Sequence, residues 1–327
     1  MKTETAKGTK KLFKLLLALL VFLASVHFIW HFIWHFIRSE QFDFSTLLHS
    51  LGRLSVGWII VLIGLQVLTM LLVNLQWHKI ASSFTSTISF WDMFYINCQG
   101  AVMDSITPGV KIGGEITRAV KIKKLLGFPH GISSRSITAK SITAKSISAQ
   151  SASIVAIQKM FSISTLIFIN LFALGYLFSV PFFIYFIMII FLIVFLYLLF
   201  FPNRILPDAG LLTKNTKMSL LLLSLAIWLL YPVKMYLLTV QIAGPSVSLI
   251  YVGSVAFVAY VVAMIPIFPG GLGGFEGTMT LLLLAANFLP PDALVITLLF
   301  RFFTFWLVML FSAGFIMFCF RIPVKAT

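Results

Sequence analysis

Apolar positions dominate six long stretches of this chain, at about Leu12–Ile37, Leu54–Leu75, Ile154–Phe178, Pro181–Phe201, Met218–Ile242 and Ala293–Phe320. Runs of ~20 apolar residues match the hydrocarbon thickness of a bilayer. Lipid offers the backbone no hydrogen-bond partner, so each run predicts a spanning helix. The period-two alternation of a membrane barrel is absent from these runs. Two shorter apolar segments, Phe90–Ile106 and Ile250–Ile267, each run into a proline and glycine cluster. "GPSVS" at 244–248 ends one helix and begins another. A short helix is expected over Phe275–Phe288, stopped by Pro290-Pro291.

The expected fold is therefore an all-α integral membrane protein, a polytopic helical bundle over 1–327 as a single transmembrane domain. If the six long helices span once each, the two short segments are re-entrant, broken-helix hairpins. Eight spans satisfy the pattern equally well, and the two halves are compatible with an inverted repeat. Lysine and arginine orient the chain. The N-terminal tail (1–11), the basic segment 111–150, the 202–217 loop and the C-terminal tail hold most of the cations. By the positive-inside rule all of these, and both termini, face the cytoplasm of a cell membrane.

Composition sharpens this picture. The chain has 327 residues, 60% hydrophobic and 10% charged, with 34 phenylalanines and a net charge of +15. In a water-soluble protein that charge raises the question of nucleic acid. Here no RNA-binding motif is present and almost no polar region exists to hold one. Anionic headgroups and membrane orientation account for the excess. Cys98 and Cys319 are far apart in apolar segments, so neither a disulfide nor a metal framework is expected, and no cofactor is. The apolar run after Lys14 is too long for a cleaved signal and reads as a first spanning helix. His27, His31 and His35 repeat every four residues, a spacing that zinc can use. Their Trp and Phe neighbours favour an interfacial belt. "SITAKSITAKSISAQ" (136–150) repeats every five residues, which builds no steady helical face, and reads as a basic surface segment.

The chemistry is concentrated in two matched octapeptides, "PGVKIGGE" (108–115) and "PGGLGGFE" (269–276). Each opens Pro108-Gly109 or Pro269-Gly270, contains a glycine pair (Gly113-Gly114, Gly270-Gly271, with Gly273-Gly274 following), and ends in a glutamate. Each follows a short apolar segment with a methionine five residues before the proline, and the two lie roughly half the chain apart. Proline and glycine end one helix and let the backbone approach another closely. The glutamate then falls in the first turn of the next helix, where the macrodipole favours negative charge. An acid at membrane depth costs about 2.5–3.5 kcal/mol on insertion scales, which makes Glu115 and Glu276 functional candidates. The alternative is structural: the glycines permit close packing, and each glutamate caps its helix or pairs with an arginine. Arg118 shares a helical face with Glu115. Lys159, Lys234 and Arg301 lie within spanning helices, where a cation either pairs or snorkels. A buried Glu276–Arg301 pair is the preferred arrangement.

"TPGVKIGGEITRAVKIKKLLG" and "IPIFPGGLGGFEGTMTLLLL…LLFRFFTFW" resemble the two signature regions of the lysylphosphatidylglycerol synthetase transmembrane family. This is a flippase-like domain found in bacterial lipid-aminoacylating proteins and as stand-alone membrane proteins. The resemblance implies a bundle with two re-entrant parts and a role in moving a lipid between leaflets. Carried over by position, it marks Pro108, Gly113, Gly114, Glu115, Arg118, Pro269, Gly270, Gly271, Gly273, Glu276 and Arg301. Where the family often has Glu-Arg in the third helix, this chain has Gln158-Lys159, which implies the loss of one charge partner. The chain shows no soluble acyltransferase region, so aminoacyl transfer is not expected of it.

Three roles follow. The leading one is a translocase for a charged phospholipid or lipid-linked intermediate, with Glu115, Arg118, Glu276 and Arg301 lining a polar path and the arginines meeting phosphate. The second is the membrane component of a lipid-modifying system whose catalytic part is another protein. The third is a partner that organises a glycosyltransferase. No nucleotide-binding loop is present to power transport.

Overall fold

The structure is a computed structural model that describes residues 44–85, 88–107, 112–126, 137–178, 185–186, 189–190, 193, 207–264, 271 and 273–321. The expected first helix with His27, His31 and His35, most of the expected helix over Pro181–Phe201, both tails, and Pro108, Gly109, Lys111, Pro269 and Gly270 lie outside the described residues.

The described elements are helices: α1 (Phe44–Gly52), α2 (Val56–Phe84), α3 (Phe90–Ile106), α4 (Ile112–Leu126), α5 (Ile137–Phe178), α6 (Lys214–Ala243), α7 (Leu249–Ala263), α8 (Gly274–Ala285), α9 (Pro290–Arg301) and α10 (Leu307–Arg321). Among the described residues, four stretches are long and apolar enough to cross a membrane: Val56–Phe84, Ile147–Phe178, Lys214–Ala243 and Pro290–Cys319. The last joins α9 to α10 through one π-helical turn, Phe302–Trp306.

The breaks between helices are written locally. Ser89 caps α3 in a reciprocal box with Asp92, and Ser248 caps α7. Gly244, at φ +94°, ends α6, as the sequence at 244–248 requires. Pro290 opens α9, where its missing N–H costs nothing. Consecutive helices α3 and α4 pack on each other, and so do α7 and α8. Each pair is therefore a hairpin of helices shorter than a span. The first hairpin also lies against α2, α5 and α10, the second against α5, α6 and α9.

Two helices run further than the apolar pattern indicated. α2 continues through "NLQWHKIASSF" to Phe84, because Asn74, Gln76 and Trp77 turn inward and are buried while hydropathy falls. α5 begins at Ile137, so the five-residue repeat is helical. A sequence without proline or glycine extends an existing helix cheaply even with no steady apolar face.

Polar side chains face inward and apolar ones outward along part of α2, the reverse of a helix in water. On α2 the buried face carries Gln66, Thr69, Asn74 and Gln76, while Val56, Ile60, Ile63 and Leu68 are exposed. Helices α2, α5 and α6 meet through polar side chains: Gln76 Nε2 donates to Ser224 Oγ at 2.5 Å, and Gln158 Nε2 donates to Gln76 Oε1 at 3.2 Å. Apolar packing seats the second hairpin, where Ala256, Ala259, Phe275, Met279 and Phe300 form one core.

Candidate functional site

The first hairpin is closed by an acid that the motif does not include. Asp104, in the last turn of α3, accepts the Gly114 N–H at 3.0 Å. A Cβ on Gly114 would collide with that carboxylate, so the glycine makes the approach possible. The other oxygen of Asp104 receives Arg118 Nη1 at 3.1 Å. Arg118 Nε donates to Asn97 Oδ1 at 3.2 Å, and Asn97 Nδ2 donates to Asn74 Oδ1 at 2.8 Å. Gly100 gives the guanidinium its space: a Cβ there would lie 2.5 Å from Arg118 Cζ. Arg118 is 9% exposed, so it leaves the basic surface set to which its neighbours Lys121, Lys123 and Lys124 belong.

The second hairpin uses the glutamate itself. Gly273, at φ +82°, donates its N–H to Glu276 Oε2 at 2.7 Å, capping α8. Glu276 Oε1 lies 3.1 Å from Arg301 Nε, so the pair expected from sequence is present. Arg301 is 4% exposed, its guanidinium 4.8 Å from the Phe275 ring centroid and 4.3 Å from that of Phe305. The π turn follows immediately, a geometry that occurs often at functional sites. Glu276 thus does cap and pair, which is the structural role weighed against function. The acid alone does not decide between them.

What the two hairpins share is a cavity of about 220 Å³. Asn97, Asp104 and Arg118 line it from the first half, Gly271, Arg301 and Thr304 from the second. A single water needs about 10–15 Å³ of such space, so an ordered water cluster or a small headgroup fits, whereas a lipid's acyl chains do not. Gly271, at φ +70°, lies so close to α7 that an added Cβ would come within 2.8 Å of Ala263 Cβ.

The ion pairing differs from expectation on the first side. Glu115 does not hold Arg118. It pairs with Lys159 of α5 at 2.5 Å. Residues three apart share a helical face, but Asp104 reaches Arg118 from the preceding helix and draws it inward, while Glu115 faces α5. Lys159 thus keeps a paired cation at its position, while the neutral Gln158 hydrogen-bonds Gln76 where the family often has an acid. Among the described residues, the cavity wall includes Arg118 and Arg301, whereas Glu115 is outside it and Glu276 stands behind Arg301. Sequence reasoning missed Asp104, Asn97, Gly100, Gln66 and Thr69. The available signals were an acid beside Met103 in an apolar segment and a helical spacing of polar residues along α2. Among the described residues no group of three or more His, Cys, Asp or Glu side chains comes together.

Comparison with known proteins now bears on this geometry. The family described as "Lysylphosphatidylglycerol synthase TM region" matches residues 13–312, nearly the whole chain. The chain belongs to that family. A UPF0104 membrane protein of Methanothermobacter thermautotrophicus is 30% identical over 95 residues, which covers 29% of this chain and 28% of that protein. As a member of the lysylphosphatidylglycerol synthase transmembrane-region family with four described apolar helices of spanning length, the chain is a multi-pass membrane protein.

Proposed function

We propose that the protein carries a charged lipid headgroup between leaflets of the cell membrane through the cavity between its two hairpins. The observation that carries this reading is that one cavity receives an arginine from each half of the chain, Arg118 and Arg301. Each is held by its own carboxylate, Asp104 and Glu276. Interrupted helices at corresponding positions in two halves are where membrane carriers place their substrates. Guanidinium groups fixed by carboxylates keep their fork geometry and spare donors for a phosphate. The carboxylates act as positioning groups rather than as direct ligands for a cationic headgroup. Both termini lie on the cytoplasmic side, and the basic residues there concentrate anionic lipid at about 1 kcal/mol per cation. No bond-making step is assigned to these residues.

Reconstitution in liposomes tests the reading. Fluorescent phosphatidylglycerol placed in one leaflet should become exposed in the other faster with the wild-type protein than in empty vesicles. Glu276→Gln, which loosens Arg301, should slow that exposure. Equal rates for wild type and empty vesicles would refute transport. Equal rates for wild type and Glu276→Gln would remove the acid from the mechanism.

A second reading is favoured by the family's own description as part of a synthase. In that reading the protein is the membrane component of a lipid-modifying system and presents lipid to a separate catalytic protein, either a lipid synthase or a glycosyltransferase. Co-purification of such an enzyme, with no lipid movement by the protein alone, would select it.

A further inference from the structure

Lys234 lies on α6, two residues beyond Pro232, and is fully buried at 0% exposure. That burial excludes snorkelling. Its neighbours among the described residues are unusual for a buried cation, because none is an acid. Nζ donates to Gln66 Oε1 at 2.6 Å and to Thr69 Oγ1 at 3.2 Å, and sits 4.2 Å from the centroid of the Tyr231 ring. An ammonium has three donors and no acceptor. Here it meets two oxygen acceptors and the electron-rich face of an aromatic ring. Thr69 spends its own hydroxyl proton on the Leu65 carbonyl at 2.7 Å, so towards Lys234 it offers only a lone pair. Two oxygen acceptors and a ring face surround the amine, and among the described residues none of these contacts brings a negative charge.

Gln66, Thr69 and Tyr231 all line the cavity, and so form a single layer between it and the lysine. The charges around the cavity then do not cancel. Arg118 is matched by Asp104 and Arg301 by Glu276. Lys159, farther out, is matched by Glu115. Lys234 has only neutral partners among its contacts. An isolated buried charge is costly, and an ionisable group inside a membrane domain marks a substrate path.

We propose that Lys234 is the charge-selecting group of the cavity, which binds a singly anionic phosphodiester and discriminates against headgroups that are neutral overall or cationic. The incoming phosphodiester meets Arg118 and Arg301 at the cavity wall and supplies the negative charge that a protonated Lys234 lacks. The proposal rests on the reading of this cavity as a lipid-headgroup site, but it concerns binding and not movement.

The test measures binding to the purified full chain in detergent. The probes are short-chain phosphatidylglycerol, short-chain phosphatidylcholine, short-chain lysylphosphatidylglycerol, glycerol phosphate and inorganic phosphate. Phosphatidylglycerol should bind about tenfold more tightly than the other two lipids, from attraction between its charge and an ammonium one layer behind the wall. Lys234→Gln should lose that preference, whereas Lys234→Arg should retain it. Equal affinity of the wild type for the three lipids overturns the proposal without any variant, so a misfolded Lys234→Gln does not shelter it. A Lys234→Gln protein that binds phosphatidylglycerol like the wild type also overturns it. Inorganic phosphate or glycerol phosphate binding as tightly as the lipid would assign the site to a free anion and overturn the lipid assignment. Preferential binding without movement in liposomes leaves this inference standing and defeats transport. Movement of all three lipids at one rate, unaffected by Lys234→Gln, does the reverse.

Discussion

Asp104 contributes more to the first hairpin than Glu115, the acid that ends the motif. It accepts a backbone N–H from α4 and pairs with Arg118 in the same stroke. Removing one member of a buried pair leaves the other uncompensated and costs about 3–5 kcal/mol. Asp104→Asn should therefore lower the unfolding free energy by that order, as read from thermal denaturation in detergent. Asp104→Leu combined with Arg118→Leu should cost less than either single change, because no lone charge is left buried. A double variant that loses the sum of the two singles would show that the residues do not interact. Glu115→Gln should cost far less, since its pair with Lys159 is about a quarter exposed on both sides and is screened accordingly.

At the scale of elements, the sequence reveals much of the architecture and less of the site. α3 falls on the short apolar segment expected at Phe90–Ile106, and α8 begins one residue before the expected Phe275. Proline, glycine and serine punctuation is local chemistry, so these boundaries are readable. The Glu276–Arg301 pair was legible too, because an arginine deep in an apolar helix has few possible partners. Asp104–Arg118 was not legible. Glu115 stands three residues from Arg118 in sequence and looks like the natural partner, and only the fold shows that α3 supplies a nearer acid. The reach of α2 was hidden for a related reason: the polar stripe that lines the interior lowers its hydropathy. Backbone approach also belongs to this scale. Gly100→Ala places a methyl where the Arg118 guanidinium lies. Overpacking of this kind costs about 1–3 kcal/mol and should displace the arginine. Gly271→Ala adds a left-handed φ penalty of about 1–2 kcal/mol to its contact with Ala263. Either variant should melt lower than wild type, and an unchanged melting temperature in both would mean that the hairpins yield freely.

For the whole molecule, the decisive property is whether the space between the halves is wet. Ser105 of the first hairpin and Thr304 of the π turn line it from the two halves of the chain, and the native Cys98 lines it as well. In a background with Cys98 and Cys319 replaced by alanine, Ser105→Cys and Thr304→Cys should react with a small hydrophilic thiol reagent. Phosphatidylglycerol should slow both reactions. Failure of both positions to react, with a control cysteine on the cytoplasmic surface labelled, would make the cavity dry. That outcome would remove the physical basis for any headgroup site here.

The π turn at Phe302–Trp306 sets a condition on length rather than on composition. It carries the equivalent of one surplus residue within a helix that otherwise keeps a regular register. Excising one apolar residue there would restore ordinary α geometry and leave α10 close to its present rotation against α9, because the turn absorbs the extra residue instead of passing it on. The face of α10 that seats on α3 would keep its place, and what would be lost is the local widening of the backbone beside Arg301. A one-residue deletion should thus be tolerated better within 302–306 than in the regular turns on either side.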